Sequence, residues 1–267
     1  MSVVYTKMHG AGNTFVLVDD LAGQFECQNG VLIRAMCDAD EGIGSDGLLL
    51  VQRSDCADVR MRFFNPDGSE VAMCGNGARC VARFAVEAGL AKEPLRIETE
   101  AGVLLAEGQG EWVRLQMGKW KSEYMDVELA CGYRVDLLNT GVAHAVHWVS
   151  GVSELQCLEW EKAGSLIRSD KHFRREGSNA SAAVVDERGV VHVRTFERGV
   201  EGETLACGTG ALAAARLAVV RGWCSFPVEV MCQSGDTLIV DDVSGSMVLA
   251  GRAVKVEEGV WYGGDRF

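Results

Sequence analysis

The feature that most constrains how this chain can fold is an internal repeat at about half its length. Met73-Cys74-Gly75-Asn76-Gly77-Ala78-Arg79 returns as Ala206-Cys207-Gly208-Thr209-Gly210-Ala211-Leu212, and the two cysteines lie 133 residues apart (207 − 74) in a chain of 267. At the same offset Ala82, Arg83, Ala85 and Val86 match Ala215, Arg216, Ala218 and Val219. Gly89, Pro94, Gly102 and Leu105 match Gly222, Pro227, Gly235 and Leu238. Matches on Gly and Pro fall on structural punctuation, where shared composition alone does not place them. Upstream the register slips by one residue, so that Val59–Asn65 resembles Val191–Glu197. Earlier still, Gly12-Asn13 heading toward Asp19 resembles Ser178-Asn179 heading toward Asp186. Self-similarity at a fixed period predicts two versions of one folding unit.

The length suits one large domain or two of ordinary size. Hydrophobic residues at 48% with only three prolines describe a globular chain without a disordered tail. A formal charge of −12, from 26 basic and 38 acidic residues, argues against a nucleic-acid surface or an anionic membrane as the main partner. No apolar run reaches membrane-spanning length, and the first residues lack a basic start followed by an apolar stretch. The expected compartment is the cytoplasm. Among the ten cysteines no C-x-x-C pair occurs, so zinc is poorly supported and no metal is expected.

Local signals repeat in the two halves. Residues 3–8 and 14–19 read as strands about the Gly10-Ala11-Gly12-Asn13 turn, and Gly30 to Asp38 reads as a helix. Strands follow at 48–53 and at 58–64, the latter with period-two alternation, then the turn Asn65-Pro66-Asp67-Gly68. A helix runs from Asn76 or Gly77 to Ala88 and closes at Gly89, followed by a hairpin at 95–99 and 103–107. The second half has strands near 182–186 and 190–196, a helix over 209–221 closing at Gly222, and strands at 228–232 and 237–241. The predicted class is α+β: two pseudo-symmetric domains from duplication, each a mainly antiparallel sheet wrapped around a central helix.

Cys74 and Cys207 therefore sit at helix N-termini, each followed by glycines that let other groups approach closely. The outward N–H groups of a first helical turn form an anion site, and the same position lowers a thiol's pKa by favouring the thiolate. A free cysteine titrates at about 8.5, within reach of neutral pH. Two such units facing each other suit inversion of a stereocentre, with a base on one face of a carbon and an acid on the other. A carboxylate gripped by helix ends stabilises the carbanion as it becomes enolate-like. No lysine in a cofactor-like setting stands out, so no cofactor is expected.

The residues carry a family resemblance. The segment Asn65-Pro66-Asp67-Gly68-Ser69-Glu70-Val71-Ala72-Met73-Cys74-Gly75-Asn76-Gly77 resembles a signature of the diaminopimelate epimerases. So does Phe196-Glu197-Arg198-Gly199-Val200-Glu201-Gly202-Glu203-Thr204-Leu205-Ala206-Cys207-Gly208-Thr209-Gly210, as do Lys7–Asn13 and the Gly42-Ile43-Gly44 loop. The resemblance implies a cofactor-independent two-base epimerase working between LL- and meso-diaminopimelate, with the site in a cleft between two domains and a homodimeric assembly. It implies domains of 1–117, joined by 253–267, and of 118–252. It makes Cys74 and Cys207 the acid/base thiols, with His144 and Glu197 as auxiliary polar residues. Gly75, Asn76, Gly208 and Thr209 would hold the α-carboxylate. Asn13, Asn65, Asn179, Glu197 and Arg198 would read the distal amino and carboxylate groups.

The chain departs from the family pattern in four places. Thr14 stands where Asp is frequent, Gly47 where a Gln contacts the substrate, and Val142-Ala143 where Asn-Pro precedes the histidine. One extra glutamate lies at or near Glu201. The alternatives are a related thiol-pair racemase of another amino acid, such as histidine, and a redox or metal-binding thiol module. His147, His172 and His192 read as structural.

Overall fold

In the computed structural model, which describes residues 2–174 and 177–263, the chain divides into two units. One comprises Met1–Gln116 with Gly251–Phe267, the other Met117–Ala250.

In the first unit, Val254–Tyr262 pairs antiparallel with Ser2–Gly10, which pairs with Asn13–Asp19. That strand runs parallel to Leu48–Gln52, which continues through Val59–Phe64 to a second parallel pairing with Leu95–Thr99. Gly102–Gln109 and Trp112–Lys119 complete the order by antiparallel pairing. The second unit repeats it strand for strand: Glu123–Glu128, Arg134–Asn139 and Ala143–Trp148, then a parallel step to Asn179–Val185. Val191–Glu197 follows, then a parallel step to Val228–Met231, Thr237–Val243 and Ser246–Arg252. The parallel steps fall at the same two places in both orders. The place that Glu123–Glu128 takes in the second unit is taken in the first by Val254–Tyr262, from the far end of the chain.

Each sheet packs against one central helix, Gly75–Glu87 in the first unit and Gly208–Val220 in the second. The second of these is buried almost all round, through Ala211, Leu212, Ala213, Ala214, Ala215, Leu217 and Ala218. Small residues let the surrounding strands approach, and a helix apolar on every side has to be enclosed. Both helices begin one or more residues earlier than the sequence reading placed them. Both end where it placed the end: Gly89 and Gly222 adopt φ of 71° and 74°. In each case the glycine N–H and the next N–H return to carbonyls of the last turn, at 3.1 and 2.8 Å in the first helix and 2.9 and 3.0 Å in the second.

Helices Val152–Cys157 and Trp160–Arg168 in the second unit were not anticipated. Trp160, Ala163 and Ile167 pack with Leu155, Leu137 and Phe196 in a core of their own. The matching place in the first unit holds Gly30–Cys37, which buries Leu32, Ile33 and Met36. Among the described residues no helix is long and apolar enough to cross a membrane.

The strand orders correct one element of the repeat. Asn13–Asp19 occupies the position of Ala143–Trp148, and Leu48–Gln52 that of Asn179–Val185. Leu48 pairs with Phe64 as Ala180 pairs with Phe196, so the counterpart of Asn179 is Gly47, not Asn13. The similar Asn-to-Asp runs in the sequence, six and seven residues long (19 − 13 and 186 − 179), reflect similar strand chemistry rather than equivalent places in the sheet.

Candidate active site

Cys74 and Cys207 are the N-cap residues of the two central helices, both with extended backbone (φ −136°, ψ 118° and φ −116°, ψ 110°). Each cap carbonyl accepts the first helical bond, from Ala78 N–H at 2.8 Å and from Ala211 N–H at 2.9 Å. The glycines three residues after them, Gly77 and Gly210, stand in close contact with their neighbours. A Cβ on Gly210 would lie 2.7 Å from Thr195 Oγ1 and 3.3 Å from the Cys207 Cβ. One on Gly77 would press the Leu49 methyls at 3.2 and 3.3 Å.

The two sulfurs have different surroundings. Cys74 is half-buried and its Sγ accepts a hydrogen bond from Gly77 N–H at 3.4 Å. Asn76, two residues on, is 4% exposed and held from both sides. Its Nδ2 donates to Asn13 Oδ1 at 2.7 Å, and its Oδ1 accepts from Arg79 Nη2 at 2.8 Å. The Gly10 backbone packs so closely on Asn76 that a Cβ there would lie 2.9 Å from the Asn76 carbonyl oxygen. Asn13, Cys74, Gly75 and Asn76 therefore form one group. Asn65 is hydrogen-bonded within its own turn, its Nδ2 donating to Ser69 Oγ at 3.1 Å.

Cys207 is 7% exposed, and its sulfur lies 3.5 Å from Thr209 Oγ1. Burial raises the Cys207 thiol well above its ordinary value, and the neighbouring Glu197 carboxylate raises it further. This corrects the expectation that a helix start makes both thiols acidic: here the loss of water outweighs the helix end. Glu197 is itself raised by burial, while the Thr204 hydroxyl and the Cys207 thiol act to lower it through hydrogen bonds. His144 is fully buried and directly opposite Asn179 in the parallel register, with Nε2 3.4 Å from Asn179 Nδ2. Burial, then the Arg198 charge, lowers His144 to about 3, so the imidazole is neutral. Asn179 Oδ1 accepts the Arg198 backbone N–H at 2.8 Å. His144, Asn179, Glu197, Arg198, Cys207, Gly208 and Thr209 are thus joined within the second unit.

The repeat is polar in one unit and apolar in the other. The pairings place Phe15 where His144 stands, Phe63 where Thr195 stands and Leu49 where Ser181 stands. Ser181 Oγ and Thr195 Oγ1 form a buried pair at 2.9 Å, whereas Phe15 and Phe63 stack edge to face at 5.9 Å. Thr204, whose hydroxyl donates to Glu197, was missed in the sequence.

A family model described as diaminopimelate epimerase matches residues 5–122 and 137–256. The chain belongs to the diaminopimelate epimerase family. A diaminopimelate epimerase of Archaeoglobus fulgidus is 40% identical to it, over 97% of this chain and 96% of that protein. One of Aquifex aeolicus is 37% identical over 96% of each. Among solved structures, a phenazine biosynthesis protein of the PhzF family from Bacillus anthracis superposes with a TM-score of 0.73 at 19% identity, covering 98% of this chain and 99% of that one. A probable proline racemase from Agrobacterium radiobacter K84 gives 0.69 at 19% identity, covering 98% and 93%. These two share the fold.

Three of the four departures from the diaminopimelate epimerase pattern have local accounts, and Val142-Ala143 has none. At Gly47 a Cβ would lie 2.5 Å from Phe63 Cε2 and 2.7 Å from the Phe64 carbonyl oxygen, so this backbone admits no Gln. Thr14 hydrogen-bonds Asp46 Oδ2 through its N–H at 2.7 Å and its hydroxyl at 3.0 Å. The extra residue lies in the hairpin before Cys207: Phe196 pairs with Glu203, seven residues on (203 − 196), whereas Phe64 pairs with Glu70, six on (70 − 64). Glu201 takes up the insertion at φ 57° and pairs with Arg168 at 2.7 Å.

Proposed function

We propose that the protein is a diaminopimelate epimerase that interconverts LL- and meso-2,6-diaminopimelate by proton transfer between two cysteines. The observation that carries this reading is the matched pair of N-cap thiols, one per unit, in a chain of this family. In the mechanism we propose, the thiols address opposite faces of one α-carbon. One removes the α-proton and the other delivers a proton to the far side, which inverts the centre. Cys207, raised by its buried setting, starts as the proton donor and Cys74 as the acceptor; the roles exchange in the reverse direction.

The α-carboxylate is taken by the helix ends at Gly75, Asn76, Gly208 and Thr209. Their N–H groups stabilise charge that moves onto the carboxylate as the α-carbon becomes planar. Asn13, Asn65, Asn179, Glu197 and Arg198 read the amino and carboxylate groups at the distal end. The anchoring of Asn76 by Asn13, and of the Arg198 backbone by Asn179, supports those roles by holding the groups in one orientation. Neutral His144 and Glu197 serve the Cys207 side. The working assembly we propose is a cytoplasmic homodimer.

The test is turnover in heavy water, with LL-diaminopimelate and histidine as parallel substrates. Early product from LL-diaminopimelate should carry one solvent deuterium at the inverted centre, while recovered substrate carries little. Equal early labelling of both would indicate a single base and sink the two-thiol mechanism. Preferential turnover of histidine would move the assignment to another amino acid.

A further inference from the structure

The backbone that delivers each cysteine hangs on a very short strand, Glu70–Val71 in one unit and Gly202–Thr204 in the other. So few ladder bonds leave a segment free to shift by an ångström, and the reaction needs its sulfurs placed more closely than that. In both units the same side-chain device closes the gap. Arg62 donates from Nε and Nη2 to the two carboxylate oxygens of Glu70 at 2.7 and 2.8 Å. Arg194 donates from Nε and Nη2 to those of Glu203, both at 2.7 Å. Each arginine then uses Nη1 to tie the hairpin to a separate segment. Arg62 reaches the Cys27 sulfur at 2.9 Å, and Arg194 reaches the carbonyls of Leu155 and Leu158 at 2.8 and 3.0 Å.

We infer that Arg62–Glu70 and Arg194–Glu203 are duplicated positioning pairs, each of which sets the place of the thiol in its own unit. This rests on the reading of Cys74 and Cys207 as the acid/base pair. Both glutamates stand four residues before their cysteine (74 − 70 and 207 − 203). The arginines stand 12 and 13 before (74 − 62 and 207 − 194), the difference being the residue inserted in the second hairpin. The hairpin loop thus changed length while the fork on the carboxylate and the glutamate-to-cysteine spacing stayed the same. An exposed ion pair would contribute little, but these are partly buried, with side-chain exposures of 16% and 33% in the first and 12% and 14% in the second. A two-point fork also fixes orientation, which a single contact does not.

Glu70→Gln and Glu203→Gln each weaken one fork. Arg62→Lys and Arg194→Lys keep the charge but remove the fork, and serve if a Gln variant fails to fold. Two readouts are taken on variants shown to be folded by circular dichroism: kcat and KM, and the rate of iodoacetamide alkylation at Cys74 and at Cys207, resolved by peptide mass. Expected is a fall in kcat of roughly 10- to 100-fold with KM within about threefold. The alkylation rate should change only at the cysteine of the altered unit. A kcat within about twofold of the parent, or equal changes at both cysteines, would overturn the inference. Cys74→Ala and Cys207→Ala run alongside. If they retain turnover, the acid/base reading fails, while the alkylation arm still reports on the positioning pairs by itself.

Discussion

The Glu197 carboxylate hydrogen-bonds the Cys207 thiol and is held in turn by the Thr204 hydroxyl, so the more buried of the two cysteines also has an acid beside it. Its charge adds to the effect of burial in raising the Cys207 thiol. The counterpart of Glu197 in the repeat is Asn65, which carries no charge and is taken up by its own turn. The two cysteines are therefore alike in backbone position, while the equivalent residues Glu197 and Asn65 differ in charge.

Glu197→Gln should lower the pH at which Cys207 loses its proton, because the neighbouring negative charge is gone. Alkylation of Cys207 followed against pH will show the midpoint moving down while that of Cys74 stays in place. Turnover should fall on the order of a hundredfold, the usual worth of a group that assists proton transfer. A midpoint that moves up would exclude the electrostatic account.

His144 also ties stability to pH. Its folded value of about 3 lies below the ordinary 6.5, so below 6.5 the unfolded chain takes up a proton that the folded protein refuses. The His144 contribution is fully present above pH 6.5 and is lost as the pH falls toward 3. His144→Gln should flatten that part of the profile, read from urea midpoints across this range. Turnover should show no protonation limb from His144 near neutrality.

Gly47→Ala should destabilise the first unit by about 1–3 kcal/mol, since the added methyl meets the Phe63 ring and a fixed Phe64 carbonyl. Gly47→Gln should be worse. Thermal denaturation of the two variants gives the ordering, and equal stability to the parent would show that the Phe63 wall can yield.

Two equivalent glycines should tolerate alanine differently. Gly210→Ala drives a methyl against Thr195 Oγ1, locked in its buried pair with Ser181, and against Cys207 itself. Gly77→Ala presses the movable ends of the Leu49 side chain at 3.2 and 3.3 Å and meets Cys74 Cβ at an ordinary contact distance of 3.5 Å. Activity should fall much further in Gly210→Ala, measured as kcat on folded protein. The reverse order would contradict the polar and apolar assignment of the two units.

Much of this was legible from residues a few positions apart. The helix starts at Cys74 and Cys207, the stops at Gly89 and Gly222 and the Asn65–Gly68 turn each follow from local chemistry, and the repeated motif joined them into two units. The helices Val152–Cys157 and Trp160–Arg168 were not, because no strong cap or turn marks them. Neither N-cap, Gly151 or Glu159, makes a side-chain capping bond, and tertiary packing of Trp160 and Ile167 holds them instead.

By itself the sequence determined the duplication, the family and the two cysteines at helix starts, because caps, turns and repeats are written within short spans. Only the tertiary structure decided that Gly47, and not Asn13, is the counterpart of Asn179, since strand order depends on pairings between distant segments. It alone decided that Cys207 holds its proton tightly, because burial and the Glu197 charge act on the sulfur through space and exceed the pull of the helix end. And it alone joined Arg62 to Glu70 and Arg194 to Glu203, whose forks close only once each hairpin has folded.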